Sequence, residues 1–214
     1  MLTVKSFIFS EFQVNTYILY DESKQCIIVD PGCNNARQQA ELSGFISDKE
    51  LQPVMLINTH GHIDHVAGNR FVKTTYNIPL ALHEKDVFLL EQTLQFAEFF
   101  AINAEQPPVP DQILKEGDEV HFGNSVLSVL HIPGHSPGSI VLYAEKDNLL
   151  IAGDVLFKGS VGRSDLPGGN HETLIRGITG KLMTLPRKTV VYTGHGPATT
   201  IGHEYDTNPF LQAE

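Results

Sequence analysis

53-PVMLINTHGHIDHVAGNR-70 joins two signals end to end. Residues 53–58 are a nearly continuous apolar run of strand length, which predicts a strand covered on both faces. Directly behind it, His60, His62, Asp64 and His65 crowd into six positions, in a chain with ten histidines among 214 residues. Neutral imidazoles and carboxylates are the usual protein ligands for zinc and related divalent ions. Read singly, each residue has a plainer explanation. Asp64 caps a following helix, and a loop histidine is an ordinary solvated side chain. Four such groups in one turn at a strand end outweigh those explanations.

The surroundings carry the same grammar. Strand-like runs open the chain (VKSFIF, VNTYILY and CIIVD, the last ending at the turn signal 30-DPG-32). Residues 35–49 have helical character, 66–77 can be a helix despite Gly68, 79–82 a short strand, and 84–100 a helix. Segment 106-QPPVPD-111 is a loop. Strands then dominate at 119–123, 125–133, 139–145 and 148–153, a glycine-rich loop spans 159–169, residues 171–185 are helical, and 189–194 is a strand. This order predicts an α/β protein with two sheets packed face to face and helices outside. Residues 94–111, with Phe96, Phe99 and Phe100, either wall a substrate cleft or form a core helix and a plain linker.

Composition narrows the function. A hydrophobic fraction of 41% and a charged fraction of 19% describe a globular chain. A net charge of −10 argues against a nucleic-acid partner bound through a broad basic surface. It does not exclude a small anionic substrate, because bound cations reverse the local field. No run approaches the ~20 apolar residues of a membrane span, and the N-terminus alternates like a strand rather than a signal peptide. Cys26 and Cys33 are read as reduced thiols in a cytoplasmic protein.

One loop rarely completes a catalytic metal site. Three further places repeat the design: His135 in 133-PGHSPG-138, Asp154 in 151-IAGDVLF-157 and His195 in 193-TGHGP-197, each after a predicted strand and flanked by glycine. Together these are five histidines and two aspartates, more than one tetrahedral ion takes. They suit two ions, with His60, His62 and His135 on one, Asp64, His65 and His195 on the other, and Asp154 bridging. Ions ~3.5–4 Å apart share a water and acidify it. Zinc is the metal expected first, with iron and manganese open to the same donors. A closed structural zinc site would be richer in cysteine. Asp30, at the end of CIIVD, either orients a histidine ring or simply closes an Asp-Pro-Gly turn. Arg163 either meets a substrate carboxylate, pairs with an acid such as Asp165, or braces its loop. His83, His121, His131, His171 and His203 match no ligand pattern.

The ordered set 59-THGHIDH-65, PGHSPG, GDVLF and TGHGP resembles the metallo-β-lactamase-fold hydrolases over nearly the whole chain. The stretch 153-GDVLFKGSVGRSDLPGG-169 and the tail 195-HGPATTIGHEYDTNPF-210 are similar to the glyoxalase II-like branch, the hydroxyacylglutathione hydrolases and their relatives. The resemblance implies one domain over residues 1–214: a four-layer αβ/βα sandwich of two mixed sheets with helices on the outer faces. It implies a binuclear metallohydrolase that cleaves small acyl thioesters, such as a 2-hydroxyacyl thioester of glutathione, by a metal-bridging hydroxide, with Asp64 as the catalytic acid–base group. Two departures matter. True β-lactamases of this fold typically carry a cysteine near the position of Asp154, so an aspartate argues against β-lactams as the main substrate. The extra C-terminal helical region that grips glutathione in full-length glyoxalase II is expected to be missing, because the chain ends soon after 208-NPF-210. The rival activities are a mononuclear iron persulfide dioxygenase and a lactonase on the same centre.

Overall fold

The computed structural model describes residues 1–212, and only the backbone of Phe100. Its first sheet contains β1 (Thr3–Phe9), β2 (Val14–Tyr20), β3 (Gln25–Val29), β4 (Gln52–Ile57), β5 (Leu80–Leu82) and β6 (Gln112–Ile113), in sequence order across the sheet. The first three strands run antiparallel, and the pairs from β3 to β6 are parallel. Parallel neighbours need crossovers. These are supplied by α1 (Ala36–Asp48) before β4, by α2 (Ile63–Val66) and α3 (Asn69–Tyr76) before β5, and by a 3₁₀ turn (Glu84–Asp86), α4 (Val87–Glu91) and α5 (Thr93–Phe100) before β6.

The second sheet is built from β7 (Glu119–Phe122), β8 (Ser125–His131), β9 (Ile140–Ala144), β10 (Leu149–Gly153), β13 (Val190–Thr193) and β14 (Thr199–Thr200). Its spatial order is β14-β13-β10-β9-β8-β7, with β10 and β13 parallel and the remaining pairs antiparallel. The small hairpin of β11 (Leu156–Phe157) and β12 (Ser160–Val161), helix α6 (His171–Gly177) with its π-helical extension Ile178–Leu182, and α7 (Ile201–Thr207) complete the chain.

Period-two alternation decides the layering. In β2 and β3, Tyr17, Leu19, Ile27 and Val29 point inward, against Val129, Ile140, Leu142 and Ile151 of the other sheet. Their neighbours Ile18, Cys26 and Ile28 point outward, onto Leu42 and Ile46 of α1 and Val72 of α3. On the far side, Val141, Leu150 and Val191 pack beneath Leu174 of α6 and Ile201 of α7. Helix, sheet, sheet, helix is the α/β sandwich that the sequence leads one to expect. Two helices differ from expectation. Segment 66–77 breaks because the Gly68 amide donates to Pro31 O at 2.7 Å, and a Cβ there would stand 2.6 Å from Cys33 Sγ. Segment 84–100 opens as the 3₁₀ turn and divides at Gln92 into α4 and α5. Among the described residues no helix is long and apolar enough to cross a membrane.

Candidate metal centre

Four loops leave the C-terminal ends of β4, β8, β10 and β13 and meet at one edge of the sandwich. The strands deliver side chains there because ligand crevices of open α/β sheets form beyond carboxyl ends. All seven residues singled out in the sequence converge. His60, His62 and His135 form one group whose ligand atoms lie within 4.8 Å of one another, and Asp64, His65 and His195 form a second. In the first, His135 Nε2 stands 3.1 Å from His60 Nε2 and 2.9 Å from His62 Nδ1. In the second, His195 Nε2 lies 3.1 Å from Asp64 Oδ2. Asp154 lies between them: Oδ1 is 3.4 Å from His65 Nε2, and Oδ2 is 3.5 Å from His135 and 3.6 Å from His195.

The outward nitrogens are held. His65 Nδ1 faces Asp30 Oδ2 at 2.9 Å, His60 Nδ1 faces Thr59 Oγ1 at 3.1 Å, His135 Nδ1 donates to Arg163 O at 2.8 Å, and His195 Nδ1 donates to Phe12 O at 3.0 Å. Such partners fix ring orientation and tautomer, and leave the opposite nitrogen to a metal. Asp30 is buried and also accepts from the Thr59 amide at 2.8 Å and the Thr59 hydroxyl at 2.6 Å. Its φ of 50° is left-handed, a conformation Asp tolerates. The sequence left Asp30 open between ring orientation and a turn, and the structure sets its carboxylate against the His65 ring.

Whether these residues fit cations is answered by their polar atoms. His65 Nε2 and Asp154 Oδ1 are buried without a hydrogen-bond partner and face each other. Unpaired buried polar atoms are rare and costly, and a divalent ion satisfies both. The protonation preferences agree. Burial alone would raise the Asp154 carboxyl, but the imidazoles of His65 and His135 pull it well below the usual carboxylate range. Burial opposes a charge on His65, yet Asp64, Asp154 and Asp30 raise its pKa well above normal. A proton there stands where a cation would. Burial, reinforced by the neighbouring imidazoles, drives His62 down to about 3 and His60 down as well. Their lone pairs are therefore available to a metal at neutral pH.

Above the cluster opens a cleft of about 430 Å³. His62, Asp64, His135, Asp154 and His195 form its polar floor, while Phe12, Leu89, Phe96, Phe157, Leu166 and Pro167 contribute apolar wall. The 94–111 segment thus divides its roles: Phe96 lines the cleft, whereas Phe99 is exposed. Arg163 sits at the rim and binds Asp165 through Nε at 2.8 Å and Nη2 at 2.7 Å. Both cysteines are free and buried, and burial raises each thiol to about 12, so neither is a nucleophile. Sequence reasoning missed Asp86, a buried carboxylate behind the cluster. It belongs to no ligand motif, and the glycines it packs against, Gly61 and Gly138, are its only trace in the sequence.

A fold of two facing mixed sheets with a histidine–aspartate metal-binding cluster at their edge defines a class of metal-dependent enzymes. Residues 10–195 match the model of the metallo-beta-lactamase superfamily, and the chain belongs to that superfamily. It is 40% identical over 200 residues to "Probable metallo-hydrolase YqgX" of Bacillus subtilis (strain 168), covering 93% of this chain and 92% of that one. It is 36% identical over 205 residues to hydroxyacylglutathione hydrolase GloC of Haemophilus influenzae, covering 95% of both. Two crystal structures overlay closely. One is BLEG-1 B3 metallo-beta-lactamase (37% identity, TM-score 0.91, 99% of this chain and 100% of that one). The other is TTHA1623 in a di-iron-bound form (35%, 0.87, 97% and 100%).

Proposed function

We propose that this enzyme hydrolyses small acyl thioesters at two divalent ions, in the cytoplasm. His60, His62 and His135 would hold one ion, Asp64, His65 and His195 the other, and Asp154 both. The observation that carries the two-ion reading is Asp154, whose two carboxylate oxygens face histidines of both groups. The di-iron form of TTHA1623 supports it, and the GloC relative supports the thioester. Zinc and iron both suit the donors.

When bound, such ions supply a Lewis acid for the carbonyl oxygen and a water acidified to near neutrality. The chain's own groups do the remainder. Asp64 stays ionised, because His65 and His195 outweigh the burial that would raise its carboxyl. It therefore orients a nucleophilic water and takes its proton. Phe12, Phe96 and Phe157 exclude bulk water and seat the apolar part of the substrate. Arg163, a guanidinium among the described lining residues, can exchange Asp165 for a substrate carboxylate at the rim. A thiolate leaves readily, so the chain need not supply a strong general acid.

The test is a panel of thioester, lactone and β-lactam substrates on protein loaded separately with zinc, iron and manganese, with metal counted per chain. The β-lactam arm is set by the likeness to BLEG-1. Thioesters should exceed the other classes at least tenfold in kcat/KM, with two ions per chain. Oxygen uptake with glutathione persulfide at one iron per chain would replace the hydrolase with an oxidoreductase.

A further inference from the structure

Behind the three-histidine group lies a buried carboxylate that touches none of the proposed ligand atoms. Asp86 closes the 3₁₀ turn after β5 and is fully buried. Three donors converge on it from two loops. The Gly61 amide, between His60 and His62, donates to Oδ2 at 2.9 Å. The Ser136 hydroxyl, next to His135, donates to Oδ2 at 2.6 Å, and the Gly138 amide donates to Oδ1 at 2.6 Å. The first loop belongs to one sheet and the second to the other. One side chain therefore ties together the turns that bring His60 and His62 to His135.

The packing is as specific as the hydrogen bonding. A Cβ on Gly61 would stand 2.8 Å from Asp86 O and 2.9 Å from Leu89 Cβ, and a Cβ on Gly138 would stand 2.6 Å from Asp86 Cγ. Glycine in H-G-H and at the end of PGHSPG is thus a requirement of close approach to this residue. Three donors and no acceptor demand a group that only accepts, which an ionised carboxylate is and an amide is not. The carboxylate also lies behind a group whose three candidate ligands are all imidazoles, whereas the second group has Asp64 and Asp30 of its own.

We infer that Asp86 is the positioning residue of the His60–His62–His135 ion site, setting that site's affinity by locking the two loops in register, as Asp30 does for His65. The inference rests on the two-ion reading above. It extends that reading to a residue that makes no contact with metal or substrate.

The test uses the full-length chain, stripped by a chelator and titrated with zinc or cobalt(II) against a chromophoric competitor. Asp86→Asn sets an NH2 group against the Gly138 amide N–H in one orientation and against the Gly61 amide N–H in the other, where only the Ser136 hydroxyl can adapt. One of the two ions should bind about 10–100-fold more weakly, in line with the loss of other groups that orient metal ligands. The second ion should keep its wild-type affinity, and cobalt(II) absorption should lose the bands of one site only. Ser136→Ala, which removes one donor of three, should give a smaller loss at the same site, and it serves in place of Asp86→Asn if that variant does not fold. Wild-type affinity at both sites in the variants would overturn the inference. So would equal weakening of both ions with a matching loss of stability in the stripped protein, the mark of a general structural role. A wild-type chain that binds fewer than two ions would instead defeat the two-ion reading itself.

Discussion

At the scale of single residues, the arrangement of Asp154 makes the sharpest demand. Its Oδ1 has no hydrogen-bond partner although it is buried, and its two oxygens reach histidines of both groups. Asp154→Ala should therefore lose metal and turnover together. At least one ion per chain should disappear on elemental analysis. The several kcal/mol such an ion contributes to a hydrolytic transition state correspond to a kcat/KM lower by roughly 10²–10³-fold. Unchanged metal content with full activity would end the bridging role. The seven convergent residues were legible in the sequence because all lie in loops that follow strand-like runs and five of them sit beside glycine, while Asp64 and His65 share the crowded turn of His60 and His62, a local pattern that needs no knowledge of the fold. Asp30 was half legible, since an Asp-Pro-Gly turn and a ring-orienting acid look alike in one dimension. Asp86 was not legible, because 84-EKD-86 carries neither glycine nor histidine and gains its meaning only when β8 arrives alongside β5. Arg163 reads in the structure first as the partner of Asp165, one of the alternatives the sequence left open.

Among elements, the α4–α5 segment is the one that bears on the cleft wall through two different helices. It connects β5 to β6 at the edge of the first sheet and lends Leu89 and Phe96 to the cleft. Phe96 lines the cleft above the metal-binding cluster and is not one of its ligand residues, so Phe96→Ala should remove apolar binding without disturbing metal. A contact of this kind contributes about 1–3 kcal/mol to substrate discrimination, so KM should rise roughly tenfold for a thioester with a bulky apolar group. The kcat should change less than threefold, roughly, as expected when uniform binding is lost. A fall in kcat at constant KM would move Phe96 from the wall into the chemistry. Most strands were legible from alternation and length. The short edge pairs β6 and β14 were not, because two residues carry no periodicity and their pairing is decided by neighbours distant in sequence. The break at Gly68 was half legible: the glycine itself speaks against a helix there, but the cause of the break, residues 31–33 packed against it, is distant in sequence.

For the whole molecule, the question is what couples the two sheets. The apolar layer between them supplies most of the adhesion, and at one end a polar joint is added. His83, after β5, stacks on His131, at the end of β8, with ring centroids 4.0 Å apart and planes 8° apart. His83 Nδ1 accepts from the Lys85 amide at 3.2 Å, and His131 Nε2 donates to Pro137 O at 2.9 Å. Burial, and then the charges of His131 and Lys85, lower His83 to about 4 from an ordinary 6.5, while Glu84 opposes them weakly. A depressed folded-state pKa means that the neutral ring is favoured by folding. Its contribution is complete above the unfolded value near 6.5 and is lost as pH falls through 4, because the unfolded chain takes up the proton first. At about 1.36 kcal/mol per pKa unit, and with the charged side chains at its rim partly hydrated, the loss is on the order of 1–2 kcal/mol. His83→Asn keeps an acceptor for the Lys85 amide and removes the titration. Denaturant unfolding of chelated wild type and variant at steps from pH 7.5 to pH 4 isolates the effect, because the histidines of the metal cluster titrate alike in both and cancel in the difference. The wild type should lose stability faster than the variant between pH 6.5 and 4, and the two should run parallel above pH 7. Parallel curves throughout would show that the stacked pair joins the sheets by packing alone.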